Sequence, residues 1–297
     1  MRFDGRVAVI TGAGRGLGRA YSELLVARGA TVVATDLDEA STDKSESGTP
    51  LLVERCSGLD GSLDLVYEDL TVEANTRKLI QEVQAKHRNI DILIHNAGNS
   101  VGSLNEHLTL HLNAGVWLTS EAWSHMVERS YGRILITTSG VGLFGSGGGG
   151  REGDREPTDY GEPWLYGPAK AAAVGLMRHL ANRGRHANIR VNAIAPVAYT
   201  QAMRNATSGK AESPRLQWVR QECPPERAAP VAAYLVHQDC PVDGEIWRAG
   251  GGHVGRIFIA ETKGFDSVDL SLETIRDNLD AIRDESGYSV PEQSGGG

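Results

Sequence analysis

Tyr166 and Lys170 stand four residues apart in a helical pattern running from Leu165 to Arg183, so both project from one face of a helix. A phenol ionises near ~10, and a neighbouring ammonium favours the phenolate, bringing that value toward working pH. That is what a general acid–base requires. Ser139 follows the strand-like run Ile134–Thr138, and its hydroxyl can hold a substrate oxygen while Tyr166 gives or takes the proton. Tyr160 is the rival phenol, but Trp164 stands four residues on where a lysine would be needed. A tyrosine and a lysine at this spacing are most often plain surface neighbours. What sets this pair apart is the group of residues it follows.

That group opens the chain. The β-branched run Val7–Ile10 reads as a buried parallel strand and leads into Thr11-Gly12-Ala13-Gly14-Arg15-Gly16-Leu17-Gly18. A helical pattern through Leu17, Tyr21, Leu24 and Leu25 follows and stops at Gly29; the next strand, Thr31–Thr35, ends in Asp36. Strand, glycine turn, helix, strand and acid form one βαβ unit. Gly12, Gly16 and Gly18 carry no side chain to hold a pyrophosphate away from the N–H groups of a helix N-terminus. Asp36 can accept hydrogen bonds from both hydroxyls of a ribose and would repel a 2′-phosphate, whereas Arg15 would attract one. The balance favours NAD over NADP. The bland alternative is a tight strand–helix turn with no ligand.

The remaining pattern supplies elements to carry these residues. Strand-like runs recur at 90–94, 133–137 and 189–195, separated by helical stretches at 72–86, 112–129, 165–183 and 228–237. This alternation predicts an α/β fold: one Rossmann-like, doubly wound parallel sheet with helices on both faces and its ligand at the carboxyl ends of the strands. Residues 41–64 read as an extended loop, 145–163 as a glycine- and charge-rich insertion or lid, and 197–225 as a substrate flap. The main domain is expected over 1–260, and 261–297 as an extension with a helix at Leu272–Ile282 and a glycine tail.

Composition bounds the partners. Thirty Lys and Arg against 38 Asp and Glu give a net charge of −8, which offers no general attraction to nucleic acid or an anionic membrane. No apolar run approaches the ~18 residues of a membrane span, and the N-terminal apolar stretch is too short for a secretory signal. Cys56, Cys223 and Cys240 are odd in number and in no ligand pattern, so neither a disulfide framework nor a metal site is expected and the cytoplasm is the expected compartment. His179, His186 and His237 show no metal-ligand spacing either. Trp117 and Trp123 read as core or interface residues.

The glycine turn resembles the nucleotide signature of the short-chain dehydrogenase/reductases, and three further segments match that family in order. Asp69-Leu70 resembles its adenine-facing pair. Asn96-Ala97-Gly98, after His95, resembles its Asn-Asn-Ala-Gly strand end, and Tyr166-Gly167-Pro168-Ala169-Lys170 its Tyr-x-x-x-Lys. The opening RFDGRVAVITGAG, His111-Leu112, Tyr131–Ile134 and Ala229–Leu235 look like one branch, the (3R)-hydroxyacyl-CoA dehydrogenase domain of multifunctional enzyme type 2. The resemblance spans roughly residues 1–260. It implies an oxidoreductase interconverting a small-molecule secondary alcohol and ketone, with Ser139, Tyr166 and Lys170 catalytic. Lys170 and Tyr166 would also meet the nicotinamide ribose, and Val197 and Thr200 the nicotinamide end. It further implies a homodimer or homotetramer.

The chain departs from that family in several places. Ser139 and Tyr166 are 27 residues apart, about twice the family's usual gap, and the stretch from Gly98 to His111 is short. His111 stands where most relatives carry a catalytic Asn, which leaves a proton relay or a backbone-satisfied histidine as its two readings. Pro196-Val197 replaces the usual Pro-Gly, so a left-handed turn there would be strained. A hydroxysteroid or polyketide-type ketone is the alternative substrate, and a non-catalytic NAD-binding sensor or partner subunit the alternative class. An acyl-CoA would call for basic residues at the cleft mouth: Arg151, Arg155 and Arg204 qualify, the first two offset by Glu152, Asp154 and Glu156.

Overall fold

A computed structural model of the chain describes residues 1–37, 49–100, 102–145, 163–207 and 213–291. They fall into two compact units, Met1–Arg256 and Ile257–Gly297.

In the first unit, β1 (Val7–Thr11), α1 (Gly16–Ala27) and β2 (Thr31–Asp36) form the opening crossover. Next come α2 (Thr49–Cys56), β3 (Ser62–Tyr67), α3 (Glu73–His87) and β4 (Ile92–His95). The middle holds α4 (Leu104–Leu108), α5 (Ala114–Glu128), β5 (Gly132–Thr137), α6 (Gly140–Phe144) and α7 (Pro163–Gly184). It closes with β6 (Ile189–Pro196), α8 (Gln201–Thr207), α9 (Pro214–Glu222), α10 (Ala229–Leu235), β7 (Ile246–Gly250) and β8 (His253–Ile257).

The strands form one sheet in the order β3-β2-β1-β4-β5-β6-β7-β8, parallel from β3 to β7. β1 lies inside it, third in that order, with Ala8 opposite Val32 on one side and Ile92 on the other. All five of its residues are buried, as a strand covered on both faces requires. The strand order reverses beside β1, which opens a crevice at the carboxyl ends of β1 and β4. On one face α1 packs against α10, and on the other α3 meets α5 and α5 meets α7. Tyr21 and Leu25 of α1 join Ile10, Ile94, Leu135 and Ile194 of the sheet in the core; burying a leucine of this kind stabilises by about 1.5–3 kcal/mol. Asp91, also buried, ties the start of β4 to β1 by accepting the Val7 N–H at 2.9 Å, with Arg6 Nη1 at 3.2 Å.

Several expectations need correction. Residues 41–64 are not one loop: α2 covers Thr49–Cys56 and β3 starts at Ser62, while 41–48 lie outside the described residues. The β3 run, Ser62–Tyr67, is interrupted by Asp64 between Leu63 and Leu65, as an edge strand can be, and so lacks the apolar block that marks a central one. β7 and β8 were also not anticipated. Gly251 and Gly252, both at positive φ (56° and 78°), make the two-residue turn between them. The flap region carries α8 and α9, with 208–212 outside the described residues. The glycine-rich segment, with Arg151, Glu152, Asp154, Arg155, Glu156 and Tyr160, lies outside them at 146–162.

The second unit holds α11 (Leu272–Asp277), started by a Ser271–Thr274 capping box, and α12 (Leu279–Arg283). The single helix expected over Leu272–Ile282 is thus two, broken at Asn278. An isolated Glu261–Ser289 bridge and the Phe258–Tyr288 ring pair, 5.8 Å apart, tie its ends together. Among the described residues no helix is long and apolar enough to cross a membrane, and no three His, Cys, Asp or Glu side chains are grouped to hold a metal. The three cysteines are free and buried.

Candidate active site

The crevice end of β1 is built from backbone. Gly12 has φ 63°, and a Cβ there would lie 2.8 Å from Ala97 Cα, so only glycine fits on both counts. Thr11 Oγ1 accepts the N–H groups of Asn96 (3.0 Å) and Ala97 (2.9 Å), and Asn96 Nδ2 donates to the carbonyls of Thr11 (3.2 Å) and Gly12 (3.3 Å). These bonds stitch the ends of β1 and β4 together. Helix α1 starts at Gly16 with no side-chain cap and no acid in its first turn, leaving its N–H groups and positive dipole end for an anion. The Asp36 carboxylate accepts the Gly14 N–H at 2.8 Å and the Leu37 N–H at 2.9 Å. At the far edge, Asp69 Oδ1 takes the Thr71 N–H (2.9 Å) and hydroxyl (2.7 Å).

The other end is built from side chains. Lys170 Nζ is buried and donates to the Thr137 carbonyl at 2.8 Å, while Thr138 Oγ1 donates to the Lys170 carbonyl at 2.8 Å. Together they pin α7 to the end of β5. The Tyr166 ring centroid lies 5.8 Å from Lys170 Nζ. Ser139 caps α6, its Oγ accepting the Val141 N–H at 3.3 Å. Between α4 and α5 the chain makes a π-helical turn, Thr109–Asn113, a widening often found at functional sites. It brings His111 into the site, with Nε2 3.0 Å from the Asn99 carbonyl. A carbonyl only accepts, so Nε2 carries the proton and Nδ1 is the acceptor. His107 stacks on His111 at 5.6 Å, and both rings meet Tyr166 edge-on, at 5.9 and 5.4 Å.

Burial sets the protonation of this end. Desolvation brings Lys170 down to about 7. Desolvation first, and the nearby lysine second, lower His95 to about 4 and hold His111 well below the ordinary imidazole value. Desolvation also lowers His107. The imidazoles are therefore neutral at pH 7, beside a lysine that exchanges its proton there.

Both ends line one cleft of about 410 Å³. Gly12, Arg15, Gly16 and Leu17 form its floor at the turn, with Asp36, Asp69 and Leu70 at one end. Asn96, Ala97 and Gly98 lie in the middle, and His111, Ser139, Tyr166 and Lys170 at the other end, facing Thr200. Two expected residues do not line it. Gly18 packs against the Gly12 carbonyl and Asn96 Nδ2, so its role is to let α1 sit close to β1. The Val197 N–H donates to the Ala249 carbonyl at 2.7 Å as part of the β6–β7 pairing, and Val197 avoids positive φ. His107, Asn99 and Thr137 were missed. The spacing of four between His107 and His111 on a helix was the available signal; the carbonyls of Asn99 and Thr137 leave none in a sequence.

The family model for short chain dehydrogenases matches residues 6–151. A short-chain type dehydrogenase/reductase of Mycobacterium tuberculosis is 30% identical over 96% of this chain and 96% of its own length. The chain belongs to the short-chain dehydrogenase/reductase family. Mouse peroxisomal multifunctional enzyme type 2 is 32% identical over 98% of this chain, which spans 38% of that protein. The full-length Drosophila melanogaster multifunctional enzyme type 2 superposes with a TM-score of 0.73 at 26% identity, covering 98% of this chain and 48% of that one. Members of this family are oxidoreductases that bind a nicotinamide dinucleotide. The uncapped α1 N-terminus, the Gly12 cradle and the carboxylate at Asp36 fit that group.

Proposed function

We propose that the chain interconverts a secondary alcohol and a ketone with NAD as cofactor, and that its substrate is a (3R)-3-hydroxyacyl-CoA. The observation that carries the chemistry is Lys170, buried one helical turn from Tyr166 and fixed to the Thr137 carbonyl. When bound, the dinucleotide supplies the hydride acceptor or donor. Ser139 holds the substrate oxygen by a hydrogen bond, and the Tyr166 hydroxyl exchanges the proton on that oxygen. The ammonium form of Lys170 stabilises the Tyr166 phenolate. A pKa near 7 lets the same lysine pass a proton onward. His111 stands beside it: a Cβ on Gly98 would lie 3.0 Å from His111 Nδ1 and 3.5 Å from Lys170 Nζ, so both nitrogens pack close to Gly98. His111 thus acts as a relay at the position where the family resemblance implies Asn in most members, with His107 behind it fixing the ring plane.

Asp36 supports NAD. Each of its oxygens takes one backbone N–H and keeps a lone pair for a ribose hydroxyl, while its charge opposes a 2′-phosphate. The acyl-CoA reading rests on the likeness to multifunctional enzyme type 2. A homodimer or homotetramer and a reducing compartment are part of the same reading, the latter supported by the free cysteines. The test is oxidation of a (3R)-3-hydroxyacyl-CoA followed by NADH absorbance, with NADP in parallel. Turnover with NAD alone is expected. NADH binding without turnover of any hydroxyacyl thioester would remove the substrate and move the search to hydroxysteroids and polyketide ketones.

A further inference from the structure

His95 ends β4 as a buried imidazole and takes no part in the steps assigned to Ser139, Tyr166, Lys170 and His111. Its Nδ1 lies 3.3 Å from Thr11 Oγ1. That oxygen already accepts the N–H groups of Asn96 and Ala97, so both its lone pairs are taken and its own hydrogen goes to Nδ1. The ring is neutral at pH 7, and a neutral ring that accepts at Nδ1 carries its proton on Nε2. Nε2 is buried and closes no hydrogen bond among the described residues. It lies under the π-helical turn and the start of α5. A Cβ on Gly115 would stand 3.4 Å from Nε2 and 3.1 Å from Cδ2, and the carbonyls of His111 and Leu110 face the ring. In that turn the Ala114 N–H bonds to the Thr109 carbonyl, five residues back, and not to the Leu110 carbonyl that an α-helix would use. The turn thus presents an acceptor where His95 presents a donor.

We propose that His95 is a positioning residue: its ring ties Thr11, at the end of β1, to the π-helical turn, and so fixes where His111 stands beside Lys170 and Tyr166. Each end of the tie is itself held. Thr11 is fixed by the β1 pairing and by the two N–H groups it accepts. His111 is held on its other side by the Asn99 carbonyl at 3.0 Å, four residues along the chain from His95. The end of β4 therefore grips the π-helical turn twice, through the His95 ring and through Asn99. Side chains of different reach can separate the two halves of the tie. An asparagine amide sits where Nδ1 sits, so it meets Thr11 but falls short of the turn, whereas a glutamine amide reaches the place of Nε2. The effect on turnover rests on the relay role proposed for His111; the tie itself does not.

The experiment compares the wild type with His95→Asn, His95→Gln and Gly115→Ala by two readouts. One is kcat and KM with NAD and an alcohol substrate, alongside the Kd for NADH. The other needs no substrate: nitrogen NMR of protein isotopically labelled at its histidine rings, which reports which ring nitrogen carries the proton. In the wild type His95 and His111 should each be a single tautomer with the proton on Nε2. His95→Asn should lower kcat by roughly 10- to 100-fold, the scale of a group misplaced by about an ångström, with KM and the NADH Kd within about twofold. It should also turn the His111 signals into a mixture of tautomers. His95→Gln should restore most of that kcat and the single His111 tautomer. Gly115→Ala presses on the Nε2 edge without touching Thr11, so it tests the tie even where a His95 variant fails to fold; it should lower kcat by about threefold at unchanged NADH affinity. A proton on His95 Nδ1, or wild-type kcat and His111 signals in His95→Asn, overturns the tie. So does a joint loss of NADH binding and kcat in both His95 variants, which would make His95 a packing residue. Altered His111 signals at unchanged kcat would keep the tie and remove the relay. Altered His111 signals in a protein that turns over no alcohol would keep the tie and remove the proposed reaction.

Discussion

The two ends of the cleft are built by opposite means. At the turn end, position is set by backbone: Asp36 is held by the Gly14 and Leu37 N–H groups, and Asn96 and Thr11 lock β4 to β1. Its charged groups, Arg15 and Asp36, stay in contact with water. At the end that holds Tyr166, Lys170 is 4% exposed, His95 2% and His111 1%, and desolvation has moved all three. Water screens charge at the first end, so that end can select a ligand by shape and local contacts. The second end holds a proton inventory that its burial has tuned. Binding and proton transfer should therefore respond to different substitutions.

The largest effect tests that separation at the reacting atom. Tyr166→Phe removes the hydroxyl but keeps the ring against His107 and His111. A general acid–base contributes about 10²–10⁴-fold, so kcat should fall by that order. The Kd for NADH, read by fluorescence quenching, should stay within about twofold, since the dinucleotide's recognition lies chiefly at the turn. A parallel loss of NADH binding would mean that the two ends are one unit.

Next in size is the stability cost of the buried lysine. Its folded pKa is about 7 against 10.5 for a free side chain. The unfolded chain therefore binds the proton more tightly, and stability falls as pH drops from about 10.5 through about 7, then levels off. At ~1.4 kcal/mol per pKa unit the full penalty is of order 5 kcal/mol, reduced by about 1 kcal/mol for the bond to the Thr137 carbonyl. Lys170→Met should thus abolish turnover yet raise Tm at pH 6, with the gain shrinking toward pH 10. A lower Tm at both pH values would show that the hydrogen bond, and not desolvation, dominates at this position.

The contrast also explains what could be read in the sequence. The sheet, the glycine turn, Asp36 and the Tyr166–Lys170 pair rest on periodicity and on residue types at fixed spacing, and these are local properties. β3 escaped because Asp64 interrupts its apolar pattern, and the hairpin at Gly251–Gly252 because neither flanking strand carries a continuous apolar block. The histidine cluster rests on a π-helical turn and on the Asn99 carbonyl, neither of which has a residue signature. Gly18 and Val197 were placed at the ligand because a motif names residues without saying which ones serve packing.

The smallest expected effect concerns Asp36, and it probes the turn end alone. Asp36→Ala leaves the Leu37 N–H to water, since Leu37 is exposed, and removes the acceptor of the N–H of buried Gly14; the stability loss should be about 1 kcal/mol. The lost contacts to a ribose should raise the Kd for NAD by about tenfold. NADP should gain, because Arg15 would then face a 2′-phosphate with no carboxylate opposing it. With either cofactor saturating, kcat should not change, since nothing between Asp36 and Lys170 carries a charge that the substitution alters. The measurement is kcat and KM for NAD and NADP with one alcohol substrate. A shift in the ratio of KM values at constant kcat keeps the ends independent. A fall in kcat would show that Asp36, by holding Gly14, also sets where the nicotinamide meets Tyr166, and the distinction between a positional end and a protonic end would fail at its weakest point.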